Sequence, residues 1–246
     1  MPLLTSAQNP AIKAIRALAQ KKHRAEQGLF VAEGEKVLAR AKDMGWLPQT
    51  LVSTGRPPDL GQQVTLEVSP QVMATLSAQN NPPSLLAIYA QRWAEKVSQS
   101  GLWLALEDVR DPGNLGTILR TADAVGAEGV ILAGNSCDPW GPDCVRATMG
   151  SIFAVPLLRM SVQELIALCR AWPGDCVGTH LEGERDYRGA YRSPALLVMG
   201  SEGAGLSGEL AKACSRLVRI PMRQGPESLN LAIATGLMLY EIAKPK

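Results

Sequence analysis

From residue 102 onward, the chain alternates between short apolar runs and longer segments of helical character. Strands are predicted at 102–108, 128–133, 176–180, 195–199 and 216–220, and the first of them begins with the continuous apolar run 102–106. Helices are predicted at 114–125, 161–171, 207–213 and 229–243. Continuous apolar strands are typical of parallel sheets that are buried on both faces. The alternation therefore predicts an α/β fold in which helices cover a parallel sheet.

The first half is predicted to form a smaller α/β unit. Asn9 and Pro10 are typical of a helix start, with asparagine as the cap and proline at the first helical position. A second helix is predicted over 33–44, ended by Gly45, with an inward face made of Val37, Leu38, Ala41 and Met44. Shorter strands and one helix are predicted at 50–52, 64–68, 70–77 and 85–89. The polar stretch 91–101 indicates a linker, so we predict two domains, at 1–92 and 100–246.

Composition narrows the class of protein. With 246 residues, 46% of them hydrophobic, the chain is long enough for a sizeable core. The five cysteines form no Cys-x-x-Cys pair and there are only two histidines, which argues against a disulfide framework or a zinc site, so no metal is expected. The N-terminus has no apolar signal-peptide core and no run approaches a membrane span, which predicts a soluble, cytoplasmic protein.

Positive charge is concentrated near the N-terminus, although the formal net charge is only +2. The cations of this patch, opposed by the single acid Glu26, are Lys13, Arg16, Lys21, Lys22 and Arg24. Such a patch suits contact with nucleic-acid phosphates, and a solvated helix face is an equally good interpretation. Since aromatic residues make up only 4% of the chain, base-stacking platforms are expected to be few.

A first candidate site segment follows the strand at 102–108. It reads Asn114-Leu-Gly-Thr-Ile-Leu-Arg120, at a strand end and helix start, which is where open α/β sheets bind ligands. Arg120 stands among apolar residues, so we expect it to be either paired or functional. A structural ion pair with Asp123 or Glu107 is the alternative interpretation.

Two further segments also follow predicted strands. Gly200-Ser-Glu-Gly-Ala-Gly-Leu-Ser207 is glycine-rich, which allows a ligand to approach the backbone closely, although a plain tight turn is as good an interpretation. Within it, Glu202 suits a cationic partner such as Arg120 or an ammonium group. Segment 220–230 contains Gly225 and Pro226, which predict a backbone bent around a ligand, and ends in Ser228-Leu-Asn230, helix caps or site residues.

These three segments resemble the motifs of a known enzyme family. Asn-x-Gly-x-x-x-Arg, Gly-x-Glu-x-x-Gly-x-Ser and Ile-Pro-Met…Ser-Leu-Asn, in this order and spacing, are similar to those of the SpoU (TrmH-type) RNA 2′-O-ribose methyltransferases of the SPOUT superfamily. The likeness covers about 102–244. The first half resembles the small L30e-like substrate-binding domain that precedes it in ribosomal-RNA members, through segments 12–13, 21–24 and 30–36.

The resemblance implies a deep trefoil knot in the catalytic domain and a homodimer formed through the helix at 229–243. It also implies the cofactor S-adenosylmethionine, held by Met199, Gly200, Ile220, Leu229 and Asn230. The substrate is expected to be RNA, contacted by the N-terminal basic patch and by Arg146. A surface salt bridge is the alternative interpretation of Arg146.

The resemblance also implies roles in catalysis. Arg120 would activate the ribose 2′-hydroxyl or stabilise the alkoxide electrostatically, and Asn114 would orient the RNA or Arg120. Glu202 would position Arg120 or cofactor groups. Ser228 and Asn230 would support the loop that precedes the last helix and hold substrate or cofactor.

Other functions remain open from the sequence. Ribosomal RNA is the favoured substrate, with transfer RNA as the alternative. A non-catalytic RNA-binding or ribosome-assembly factor could use the same scaffold. A dinucleotide-dependent oxidoreductase predicts Gly-x-Gly-x-x-Gly after the first strand, whereas residues 111–116 read Asp-Pro-Gly-Asn-Leu-Gly.

Overall fold

The computed structural model describes residues 2–55, 66–181, 183, 185–223 and 228–244. The chain divides into two compact units, one formed by Met1–Gln91 with Asp138–Ala154 and the other by Arg92–Cys137 with Val155–Lys246. The change of unit after residue 91 falls in the stretch predicted as a linker. Residues 138–154 were predicted within the second domain, whereas in the structure they belong to the first unit.

The first unit is built on a small mixed sheet with the strand order β1-β4-β2-β3. Its strands are β1 (Leu29–Glu33), β2 (Thr50–Ser53), β3 (Leu66–Glu67) and β4 (Leu85–Ala90). Its helices are α1 (Pro10–Ala17), α2 (Lys21–Gln27), α3 (Glu35–Asp43), α4 (Pro70–Leu76) and, from the second half of the sequence, α6 (Pro142–Ala147). Asn9 caps α1 by accepting a hydrogen bond from the Ala11 N–H at 2.9 Å, as predicted. Met44, predicted to face inward, follows the last residue of α3 and is 38% exposed, so that prediction is wrong.

An aromatic cluster explains why residues 138–154 join the first unit. The rings of Phe30 and Trp140 have centroids 4.7 Å apart, and those of Tyr89 and Phe153 are 4.9 Å apart. The indole N–H of Trp46 donates a hydrogen bond to the Phe153 carbonyl at 2.9 Å. Aromatic pairs of this kind bury large areas and add about 0.5–1.5 kcal/mol each beyond that burial. The cluster therefore depends on rings that are remote in sequence.

Arg24 is a second link within this unit, and its position excludes the role predicted for it. The residue is only 5% exposed. Its guanidinium donates to Asp138 at 2.8 and 2.9 Å and to the carbonyls of Leu18 and Ala19 at 2.7 and 2.8 Å. With these donors engaged and buried, Arg24 does not present its charge to RNA phosphates. Instead, its hydrogen bonds link α2 to the segment that begins at residue 138.

Replacing Arg24 with alanine is expected to lower the free energy of unfolding by about 3–5 kcal/mol, because it leaves the Asp138 carboxylate without its buried partner. Urea denaturation followed by tryptophan fluorescence measures this change. Lys22→Ala, on the same helix and exposed, is the control and should change stability by less than about 0.5 kcal/mol. Equal effects of the two substitutions would contradict a structural role for Arg24.

The second unit contains a seven-stranded sheet with the order β7-β6-β5-β10-β8-β11-β9, in which every neighbouring pair is parallel. Its strands are β5 (Leu102–Glu107), β6 (Gly129–Ala133), β7 (Leu157–Met160), β8 (Asp175–Thr179), β9 (Arg185–Asp186), β10 (Ala195–Met199) and β11 (Arg216–Arg219). Its helices are α5 (Pro112–Ala124), α7 (Val162–Ala171), α8 (Gly208–Ala213) and α9 (Leu231–Ala243). The predicted parallel α/β fold is confirmed, although β7 and β9 were not predicted.

The central strands β5, β6 and β10 are buried along their whole length. Helices α7 and α8 pack apolar faces on the sheet, and α9 packs against α5 and β10. Three of the five free cysteines, Cys169, Cys176 and Cys214, belong to or border this core. No helix among the described residues is long and apolar enough to cross a membrane.

Candidate functional site at the carboxyl ends of the parallel strands

The loops that follow β8, β10 and β11 enclose a cavity of about 310 Å³ together with the start of α9. Four of the five residues predicted to bind a cofactor line it, namely Met199, Gly200, Ile220 and Leu229. Ser228 and Glu202 also line it, whereas Asn230, Asn114 and Arg120 do not. Gly225 and Pro226, predicted to bend the backbone, lie outside the described residues. Ligand cavities are expected at this edge of an open parallel sheet.

The glycine-rich segment closes into a tight turn that forms one wall of the cavity. Ser201 and Gly205 exchange backbone hydrogen bonds at 3.0 and 3.1 Å. A Cβ atom at Gly200 would lie 2.0 Å from the Gly205 carbonyl carbon and 2.1 Å from the Leu206 nitrogen. Only glycine fits at position 200, because the strand end and the returning backbone touch there. The two interpretations of this segment therefore coexist, since the turn is tight and also lines the cavity.

Glu202 joins this turn to the start of α5. Its carboxylate accepts hydrogen bonds at 3.2 Å from the backbone N–H groups of Arg110 and Asp111 and from the side-chain amide of Asn114. Burial by itself would raise the pKa of Glu202, but these bonds and one from its own backbone N–H hold that pKa below the usual glutamate value. The partner suggested by the sequence, Arg120, does not bind it.

Asn114 and Asn230 connect the first and third segments. The Asn230 amide donates to the Asn114 side-chain oxygen at 2.9 Å, while its own oxygen accepts from the Ala232 N–H at 2.9 Å and caps α9. The N-cap of α5 is Asp111, which accepts from the Asn114 N–H at 2.6 Å, so the prediction that Asn114 sits at or before the helix start is wrong. The residues Glu202, Asn114 and Asn230 thus form one hydrogen-bonded chain across all three motifs.

The Arg120 side chain is exposed on α5 and forms neither a hydrogen bond nor an ion pair with any part of the chain that the structure describes. The helix buries Leu115, Ile118, Leu119 and Ala122 on its other side. The predicted alternative, an ion pair with Asp123 or Glu107, is therefore absent from the described residues. The guanidinium is available to a ligand or substrate.

Several cavity residues carried no motif in the sequence. Thr179, His180 and Arg219 line the cavity because they lie at the ends of β8 and β11. The Glu107 carboxylate, 5% exposed, accepts a hydrogen bond from the Ser207 N–H at 2.8 Å and ties the end of β5 to the glycine-rich segment. These residues could have been identified from the sequence, because they lie directly at the carboxyl ends of predicted strands.

The predicted RNA contacts lie in the first unit. Lys13, Arg16, Lys21 and Lys22 are exposed, and Lys22 lies 3.9 Å from Glu26. Arg146 is also exposed and pairs with Asp143 at 2.9 Å, as its alternative interpretation predicted. Exposed pairs of this kind contribute little to stability and are easily exchanged for another anion.

A cavity at the carboxyl ends of a parallel sheet, in a chain whose smaller unit carries exposed cations, defines an α/β protein with a small-molecule site. Residues 101–240 match the model of the SpoU rRNA Methylase family, and residues 9–87 match that of the MRM3-like substrate binding domain. The chain belongs to the SpoU rRNA methylase family. The family resemblance drawn from the three motifs is confirmed.

Individual relatives cover nearly the whole chain. The 23S rRNA (guanosine(2553)-2′-O)-methyltransferase RlmP of Bacillus subtilis is 29% identical, over 98% of this chain and 99% of its own. The 23S rRNA (uridine(2479)-2′-O)-methyltransferase of Streptomyces viridochromogenes is 31% identical, over 93% and 87%. The crystal structure of an AdoMet-bound rRNA methyltransferase from Sinorhizobium meliloti superposes with a TM-score of 0.90 at 45% identity, covering 98% of this chain and 96% of that one.

Proposed function

We propose that this protein transfers a methyl group from S-adenosylmethionine to a ribose 2′-hydroxyl of ribosomal RNA. The observation that carries the proposal is the cavity lined by the second and third motif segments, four of whose lining residues were predicted as cofactor contacts. The relatives from Bacillus subtilis and Streptomyces viridochromogenes are named for 2′-O-methylation of 23S rRNA, and the Sinorhizobium meliloti protein is AdoMet-bound.

The cavity residues fit this cofactor. The volume of about 310 Å³ lies at the lower end of the range of about 300–1,000 Å³ found for small-molecule sites. Apolar side chains of Met199, Ile220 and Leu229 suit an adenosine. When bound, the cofactor supplies an electrophilic methyl group on its sulfonium sulfur. One wall of the cavity is formed largely by the backbone of the turn between Gly200 and Gly205.

The protein contributes to the reaction by positioning helix α5 and by supplying a positive charge from it. A guanidinium offers N–H donors and a positive charge but no acceptor for a proton, so we assign Arg120 electrostatic stabilisation of the negative charge that develops on the 2′-oxygen. The chain of hydrogen bonds from Glu202 through Asn114 to Asn230 fixes the start of α5, and therefore the helix that carries Arg120, against the cavity wall. Ser228, at the cavity edge, contacts cofactor or substrate.

A second copy of the chain is the proposed partner of α9. Three large apolar side chains on this helix stay exposed, Ile233 at 57%, Leu237 at 39% and Tyr240 at 59%. Their spacing of four and three residues sets them on one face of the helix. A homodimer that covers this face would bury them. The trefoil knot and a cytoplasmic location, implied by the resemblance and by composition, stay predictions.

Isothermal titration with S-adenosylmethionine, followed by transfer of its labelled methyl group to ribosomal RNA, tests the function. We expect cofactor binding and label on ribose 2′-oxygens of 23S rRNA. Label appearing in transfer RNA alone would assign the alternative substrate. Absence of cofactor binding by the protein, with or without RNA, would leave the non-catalytic RNA-binding factor as the better interpretation.

The basic patch gives a separate prediction. Removing the charges of Lys13, Arg16, Lys21 and Lys22 together is expected to weaken RNA binding and to flatten its salt dependence, by about one unit of logarithmic slope per lost phosphate contact. Filter binding over a range of salt concentrations measures the slope. A variant with Arg170 and Lys212 replaced by alanine, both exposed in the other unit, is the control. If the slope is unchanged, the cations of the patch are solvated and do not contact RNA.

A further inference from the structure

A second cavity, with a volume of about 570 Å³, lies entirely within the first unit. Its walls come from the end of β1, the first turns of α3, the loop after α4, and α6. Among the described residues, none that lines the proposed cofactor cavity also lines this one. Its size is within the range of about 300–1,000 Å³ that is usual for sites that hold a small molecule or a single group.

The cavity has aliphatic walls and a balanced charge. Val31, Val37, Val145 and Met149 supply apolar surface, and Met149 keeps 56% of its surface exposed. Among the described residues of the lining, the cations are Lys36 and Arg146, and the acids are Glu33 and Glu35. Two positive and two negative groups favour no net charge in the occupant. An anion such as a free phosphate is therefore a poor fit, and a neutral group with apolar faces and polar edges is a good one.

One end of the cavity carries a fixed acceptor. The Glu33 carboxylate accepts hydrogen bonds from the Ser77 hydroxyl at 2.5 Å, the Ala78 N–H at 3.0 Å and the Gln79 amide at 3.1 Å. A carboxylate offers about four acceptor positions, so one remains for an N–H donor in the cavity. Gln79 also lines the cavity, and its amide oxygen accepts no hydrogen bond from the described residues. Two acceptors held by a hydrogen-bonded loop match the N–H edge of a nucleobase.

We propose that this cavity receives one unstacked base of the RNA substrate, an inference that rests on the proposed function. RNA recognition commonly uses bases that have left the helical stack. The base faces would pack on the valine side chains and Met149, and its N–H edge would donate to Glu33. Lys36, which is exposed, would contact a phosphate that flanks that nucleotide, and Arg146 would do so by exchanging its exposed pair with Asp143 for a phosphate. Binding here holds the RNA without stacking on an aromatic ring, since none of the described lining residues is aromatic.

Entry of a base into the cavity can be measured with an octaadenylate that carries 2-aminopurine at its fourth position. This base fluoresces strongly when it is unstacked and is quenched by stacking. With the full-length protein in excess, we expect fluorescence to rise several-fold on binding. Ala78→Leu, which extends an exposed side chain of the lining into the cavity, should remove most of this rise. Ala74→Leu, exposed on the neighbouring helix and outside the lining, should retain it. Glu33→Gln should weaken binding of the octamer about 3- to 10-fold, the ratio that one hydrogen bond provides.

The results separate this proposal from the proposed function. Each variant is also titrated with S-adenosylmethionine, and all should bind it as the unmodified protein does. A fluorescence rise that persists unchanged in Ala78→Leu would overturn the base-binding proposal while leaving methyl transfer intact. The base-binding proposal is also overturned if the octamer does not bind, or if it binds without any change in fluorescence. If Glu33→Gln fails to fold, the comparison of Ala78→Leu with Ala74→Leu still tests the base-binding proposal.

Discussion

Replacing Gly200 with alanine is expected to weaken S-adenosylmethionine binding by at least about 100-fold, or about 2.8 kcal/mol. The new methyl group would lie 2.0 Å from the Gly205 carbonyl carbon, 2.1 Å from its oxygen and 2.1 Å from the Leu206 nitrogen. All three atoms are backbone, so no side-chain rotation relieves the overlap. The turn between residues 200 and 205 must open, and with it the wall of the cavity.

Gly203→Ala is the matched control, because it adds the same methyl group to the same turn. A Cβ at Gly203 has no heavy atom within 4 Å, although the residue also lines the cavity. Calorimetric titration of both variants, with thermal melting to verify folding, measures the difference. If Gly200→Ala binds the cofactor as tightly as Gly203→Ala does, the turn is not the wall that holds it.

The parallel sheet was predictable because its central strands are buried on both faces and so read as unbroken apolar runs, as in Leu102–Glu107 and Ala195–Met199. The shorter strands Leu157–Met160 and Arg185–Asp186 were missed. Each is partly or wholly exposed and its few residues carry no clear period. The sheet edges are therefore the part of this fold that local pattern describes least well.

Long-range contacts account for two further differences. Arg24 stands among lysines in the sequence, and nothing local indicates that its guanidinium is buried against Asp138, which lies 114 residues further along the chain. The same holds for Trp140 and Phe153, whose packing on Phe30 and Trp46 assigns their segment to the first unit. Burial of a charged residue depends on a partner, and partners that are remote in sequence leave no trace in periodicity.

In the candidate site, too, the sequence indicated which residues matter but not which contacts they make. Asn114, Glu202 and Asn230 were predicted as site residues from their places after predicted strands and from the family resemblance, but the hydrogen bonds that connect them were not predicted. The sequence suggested that Glu202 would bind a cation, whereas its carboxylate binds backbone N–H groups and an amide. Amide and carboxylate groups bind many partners equally well, so only their positions in the fold decide which bond forms.

Replacing Arg120 with alanine is expected to lower the rate of methyl transfer by about 10²–10³-fold, the loss typical of removing one group that stabilises charge in the transition state. The affinity for S-adenosylmethionine should stay nearly unchanged, because Arg120 does not line the cavity. Folding should also be unaffected, since the side chain is exposed and makes no hydrogen bond or ion pair within the described residues. Single-turnover transfer of a labelled methyl group, together with calorimetric titration, measures both quantities.

Arg120→Lys distinguishes the two roles that the sequence left open for this residue. If the side chain only stabilises charge, lysine keeps the positive charge and should recover part of the rate without introducing a new pH dependence near neutrality. If it acts as a general base, the lysine variant should gain rate as the pH rises towards the lysine pKa of about 10.4, because only the neutral amine accepts a proton. Loss of cofactor binding in parallel with the rate in Arg120→Ala would contradict both roles and make the residue structural. We expect partial recovery with a flat pH profile, since a guanidinium has five N–H donors and no acceptor for a proton.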